Sequence, residues 1–144
     1  MNPMDAMASV DWKGLQIKFN ELKAFLSEPS LSFSNSTAQR SKQRENVELG
    51  LEAIIEVALS ESHMLLRDGD YQSAVEGGLK TLHFVQDLYG TESVEQIEPF
   101  FLLAKAHQQM KKFKRAEEFL SIAHWTIIKN PDCPAHIRAE LHQN

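Results

Sequence analysis

Cysteine is all but missing: Cys133 stands alone in 144 residues. A lone thiol excludes an intramolecular disulfide, so packing must hold the fold, as suits a reducing compartment. Only 5 prolines and 6 glycines occur, and they fall between periodic segments. Strand-type alternation of polar and apolar residues is absent. No run approaches the ~20 apolar residues of a membrane span. The opening stretch, MNPMDAMASVDW, has no basic segment leading into an apolar one, which argues against a secretory signal. Basic charge is also in deficit. The chain has 15 Lys+Arg against 20 Asp+Glu, a net charge of −5. That argues against nucleic acid and anionic membranes as partners, since both select a basic face. The one basic cluster, KKFKR at residues 111–115, reads as a solvated helix-turn face. These absences leave a cytosolic protein, or one assembled into a cytosolic structure.

What is present is helical periodicity. The 42% hydrophobic content suffices for the core of one small domain. Residues 1–10 are expected to be disordered. Residues 11–27 form the first expected helix, with Trp12, Leu15, Phe19, Leu22 and Leu26 on one stripe and Asp11 as its N-cap. Residues 28–37, rich in serine around Pro29, read as a linker in which Phe33 tucks into a neighbour. A long helix is expected over 38–67. Its first half is polar nearly all round and projects into solvent. Its second half carries Leu51, Ile54, Ile55, Ala58, Leu59, Ser62, Leu65 and Leu66 on one face. Asp68-Gly69-Asp70 stops it, with Gly69 free to take positive φ.

The next helix is expected over 71–89, with Ala74, Val75, Gly78, Leu82, Val85 and Tyr89 on one face and Gly90 at its end. Gly77-Gly78 inside a helix costs about 1 kcal/mol per residue relative to alanine, which predicts a neighbouring helix too close for a side chain. Thr91–Ser93 offers N-caps to a fourth helix reaching Met110, with Pro99 near its effective start. A fifth helix spans 113–129, burying Ala116, Phe119, Leu120, Ala123 and Ile127, and Trp125 is expected to pack between helices. A sixth begins near Ala135.

Two stretches repeat one pattern. Tyr71 and Ala74 open one helix as Phe113 and Ala116 open another, and 113 − 71 = 116 − 74 = 42. Each aromatic is expected to cap a helix pair whose crossing the alanine makes tight. Gly69-Asp70-Tyr71-Gln72-Ser73-Ala74 resembles the opening of the second helix of a tetratricopeptide repeat, and Lys111-Lys112-Phe113-Lys114-Arg115-Ala116 resembles it more loosely. The usual period is 34. A longer one resembles kinesin light chains and the C-terminal domain of SET-and-MYND methyltransferases. The first helix of the second repeat fits the family at Phe100, Leu103 and Ala104; that of the first, at Ala58, Glu61 and Ser62, departs from it. The resemblance implies an all-α helix-pair solenoid, with a repeat domain over 38–144, repeats at about 51–90 and 94–130, and a partial third at 134–144.

A narrower resemblance rests on LYG at 88–90, SVE at 93–95, LLA at 102–104, AEE at 116–118, HWTIIK at 124–129 and DC at 132–133. On these the chain is similar to the zinc finger MYND domain-containing protein twelve family, ciliary proteins with a MYND finger followed by such repeats. Asp11-Trp12 matches the finger's last helix, but Leu15, Gln16, Phe19 and Asn20 occupy its ligand region. A closed zinc site needs about four N or S ligands, so the finger is expected to be missing and the third repeat cut short. The resemblance implies a non-catalytic scaffold in the cytoplasm and the ciliary axoneme, associated with inner dynein arms and other repeat proteins. A cargo adaptor like a kinesin light chain, or an orphaned methyltransferase repeat domain, are the rival readings.

No enzyme motif accompanies the histidines. His63, His83, His107, His124, His136 and His142 have no Glu-x-x-His or nucleophile partner, and Cys133-Pro-Ala-His136 is half a zinc site without a second half. Neither metal nor cofactor is expected. In tetratricopeptide arrays the first helix of each pair lines a groove. By that resemblance the groove comprises Glu56, Leu59, His63, Leu66 and Arg67, then Glu98, Phe101, Lys105, Gln108 and Gln109. Leu59 and His63 replace two positions of the set that grips chaperone carboxylates, so a helical or extended peptide is the expected occupant.

Overall fold

The computed structural model describes residues 11–27 and 37–131. The segments 1–10, 28–36 and 132–144 lie outside the described residues. With them lie the expected disordered N-terminus, most of the linker with Phe33, the sixth helix, Cys133, His136 and His142. The described residues are all-α and contain no strand. Five α-helices run in order: α1 Trp12–Ser27, α2 Thr37–Arg67, α3 Tyr71–Tyr89, α4 Ile97–Gln109 and α5 Phe113–Lys129, with a 3-10 turn at Val94–Gln96 before α4. Two compact units divide between Val57 and Ala58, within α2.

In the first unit, Asp11 caps α1 as its side chain type requires. Its Oδ1 accepts from the Gly14 N–H at 2.9 Å and its carbonyl from the Leu15 N–H at 3.0 Å. Phe19 is fully buried, while Trp12, Leu15, Leu22 and Leu26 are half-buried along the expected stripe. Gly50 of α2 faces Leu22, whose Cδ1 would lie 3.1 Å from a Cβ there. The start of α2 differs from expectation. Val47 is buried and Arg40 and Gln43 are half-buried, a spacing of three and four that puts them on one helix face. One side of this polar segment is therefore packed. The long stems of arginine and glutamine can line an apolar surface while their heads stay polar.

The second unit opens with the last turns of α2, where Ala58, Ser62 and Leu65 are buried. Gly69 ends the helix at φ 84°. Its N–H donates to the Leu66 carbonyl (3.2 Å), and the Asp70 N–H donates to the Leu65 carbonyl (3.0 Å). Those two bonds define a Schellman close, which needs a left-handed residue at the glycine position. Asp70 then caps α3, accepting from the Ser73 N–H at 3.3 Å. At the far end Gly90 adopts φ 93°, ψ 175°, a region that only glycine occupies freely.

α4 is the centre of this unit and packs against both α3 and α5. Its composition says why: Ile97, Phe100, Phe101, Leu102, Leu103, Ala104 and Ala106 surround the axis, and all are buried. A helix that is apolar nearly all round must be enclosed. Pro99 sits in its first turn, where the missing N–H costs nothing. The Thr91–Ser93 caps do not act as expected. The Ser93 hydroxyl turns back to the Gly90 carbonyl (3.3 Å), and the 3-10 turn leads into α4 in place of a side-chain cap. Gln96 of that turn is buried and accepts from Gln86 Nε2 of α3 at 2.8 Å.

Gly78 is the notch in α3. A Cβ there would lie 2.9 Å from Leu103 Cδ2 and 3.0 Å from Leu102 Cδ2, so the close approach expected of the glycine pair occurs at this residue. Three departures concern burial. Tyr89 is exposed rather than packed, Leu120 is only half-buried, and Trp125 is 61% exposed. The buried side of α5 is set by Ala116, Phe119, Ala123, Thr126 and Ile127. Trp125 falls on the opposite side of a helix with 3.6 residues per turn, where none of the described helices covers it.

Candidate partner-binding surface

The residues assigned to a groove separate by helix. On α2 within the second unit, His63 and Arg67 are exposed and Leu59 and Leu66 are half-buried. Their spacing of four, three and one keeps them on one face. Glu56, also exposed, belongs to the first unit. On α4, Glu98, Lys105, Gln108 and Gln109 are exposed, whereas Phe101 between them is 6% exposed. These four are the only exposed residues of α4. Their side chains make no hydrogen bond or ion pair with the described residues, so they present a cation, an anion and two amides to solvent. Such a stripe offers directional polar contacts around a recessed aromatic.

The signature positions are placed as follows. Ala74 and Ala116 are buried, at 0% and 2% exposure. Tyr71 is half-buried, but Phe113 is 61% exposed. The expectation that both rings cap a helix pair therefore fails at Phe113. The turn ahead of Phe113 nonetheless copies the one ahead of Tyr71. The Lys111 N–H donates to the Gln108 carbonyl (3.0 Å), and the Lys112 N–H to the His107 carbonyl (2.8 Å). Lys111 takes φ 63° where the other turn has Gly69 at φ 84°, and 111 − 69 = 42. Lys112 (φ −94°, ψ 68°) repeats the backbone of Asp70 (φ −87°, ψ 73°) but supplies no side-chain cap. A left-handed lysine has no signal in composition, and only the offset of 42 pointed to that position.

The basic turn itself is open. Lys111, Lys112, Phe113, Lys114 and Arg115 are all exposed. Arg115 pairs with Glu118 at 3.0 Å and lies over the Phe119 ring, 5.2 Å from its centroid. Phe119 also meets Phe100 at 6.2 Å and His107 at 5.3 Å between centroids. His107 is buried in that cluster, its Nδ1 donating to the Leu103 carbonyl at 2.7 Å. This is a packing role, against the Phe119 ring. The other described histidines, His63, His83 and His124, are exposed and scattered. Among the described residues no group of three or more metal-capable side chains forms. Nor is any described helix long and apolar enough to cross a membrane.

No family model matches the chain. No solved structure matches it either.

Proposed function

We propose that the chain is a helical-repeat module that binds other proteins and performs no chemistry of its own. The observation that carries this reading is the pair of equivalent turns. Two helix ends 42 positions apart close with the same backbone hydrogen bonds and start a new helix at the same offset. A chain that builds one helix–turn–helix unit twice has the plan of a repeat array, whose use is the surface it displays. The polar stripe of α4, with Lys105 and Gln108 at its middle, is the part of that surface assigned to a partner, an extended or helical peptide. The solenoid and its 42-residue period belong to this proposal.

The particular setting rests on the sequence resemblance. It makes the partners axonemal proteins, dynein subunits and other repeat proteins in the motile cilium, with the chain a cytoplasmic and ciliary scaffold. Affinity capture with the tagged chain from ciliated-cell lysate, read by mass spectrometry, tests it. Enrichment of axonemal dynein chains is expected, with loss of the same proteins for Lys105→Glu. Recovery of chaperones alone would overturn the scaffold reading. Recovery of vesicle cargo instead would favour a cargo adaptor, and methyl transfer by the isolated chain would overturn the non-catalytic reading.

A further inference from the structure

The turn between α4 and α5 concentrates positive charge on an acidic chain. Residues 111–115 carry four cations. Setting them aside leaves 15 − 4 = 11 basic against 20 acidic residues, a charge of −9 elsewhere. Of the four, Arg115 is engaged by Glu118. Lys111, Lys112 and Lys114 have no ion pair or side-chain hydrogen bond with the described residues. Phe113 stands among them with 61% of its surface in water. Lys111 is in addition the one described non-glycine residue at positive φ. That conformation is unfavourable for a residue with a side chain, and the turn's hydrogen bonds are all backbone bonds that glycine would make equally. A lysine kept where glycine would make the same turn is a pointer to use.

We propose that this turn docks a short acidic peptide segment of a partner protein, one that carries an apolar side chain among its carboxylates. The three free ammonium groups meet the carboxylates in charge-assisted hydrogen bonds, and the Phe113 ring meets the apolar side chain. The charge distribution selects a short peptide over an extended polyanion. At physiological salt, charges act over about 8 Å. A membrane surface or nucleic acid would therefore bring its negative field onto the acidic remainder of the chain, whereas a peptide of a few residues touches only the turn. The inference rests on the protein-binding reading and names the chemistry of one partner segment.

Fluorescence anisotropy with the full chain tests it. The probe is a labelled peptide of sequence Glu-Glu-Phe-Glu-Glu-Leu-Glu, beside a counterpart with glutamine for every glutamate. The acidic probe is expected to bind at least about tenfold more tightly, and to weaken as salt rises. Lys112→Asp is expected to weaken binding by a similar factor while leaving the helical circular-dichroism signal and raising the melting temperature, because aspartate caps α5. Loss of binding in a more stable variant cannot be loss of fold. Phe113→Ala is expected to cost a few-fold. Equal binding of the two peptides overturns the proposal, as does indifference to Lys112→Asp combined with Lys114→Glu. So does tighter association with phosphatidylserine vesicles or single-stranded RNA than with the acidic probe. If capture from lysate succeeds while the probe fails, the scaffold reading stands and the turn proposal falls. If the probe binds through the turn while capture recovers only chaperones, the axonemal scaffold reading falls alone.

Discussion

The turn at Gly69 and the turn at Lys111 share one backbone and oppose each other in chemistry. Both close a helix with the same two hydrogen bonds, and both place the next residue near φ −90°. The first does so with Asp-Gly-Asp, a left-handed glycine followed by a capping carboxylate. The second does so with Met-Lys-Lys, a strained lysine followed by a side chain that caps nothing. The backbone of the second turn is thus imposed from outside it. α4 and α5 must pack with Ala116 and Phe119 turned inward, and the connection between them has to comply. Local sequence chooses this conformation in one turn and merely tolerates it in the other.

The largest expected effect would break what the two turns have in common, the central helix. Leu103→Ala removes a fully buried side chain that sits against Gly78. It should lower stability by about 2–5 kcal/mol in denaturant titration. Next comes the helix that each turn launches. Gly78→Val should cost about 1–3 kcal/mol, since its branches would enter the space of Leu102 and Leu103. The same residue type introduced 42 positions on, by Leu120→Val at a half-buried site, should cost less than about 1 kcal/mol. Equal losses at the two sites would show that α3 and α5 are packed alike. Exchanging the turn residues probes the comparison directly. Gly69→Lys should lower stability by about 1 kcal/mol and Lys111→Gly should raise it by about the same. A destabilised Lys111→Gly would show that the lysine has a structural role. The smallest effect is expected from Lys112→Asp, which should add a cap worth up to about 1 kcal/mol, visible as a modest rise in melting temperature.

Helix boundaries were the most legible part of the sequence, because they are marked by local chemistry. Asp11 announces α1, Gly69 and Gly90 announce the ends of α2 and α3, and the aromatic–alanine openings place the first residues of α3 and α5. What the sequence concealed was decided by distant packing. Phe84 and Thr81 are buried on α3, although a single-stripe reading of that helix omits them, because it is packed over a wider arc. Trp125 reads as core from its size and stands in water because no described helix lies on its side of α5. Of the candidate surface, the polar set of α4 came from the family resemblance, and the structure adds that its four members are exposed. A lysine doing a glycine's work could not be read, since φ is not written in composition.

Ser62, Thr81 and Thr126 are buried, and each donates its hydroxyl to the carbonyl one turn back on its own helix, at 2.8, 2.8 and 2.9 Å. A helix that keeps its polar atoms to itself shows its neighbours shape alone. Shape recurs with every turn, so two such helices could slide by about 5.4 Å and still bury similar surfaces. Between α3 and α4 the fold carries two indexing features against that slip. The Gly78 notch accepts Leu102 and Leu103 at one height only, and the Gln86–Gln96 amide pair at 2.8 Å fastens the start of α4 to the end of α3. Alignment along the helix axes is thereby fixed by one missing side chain and one hydrogen bond.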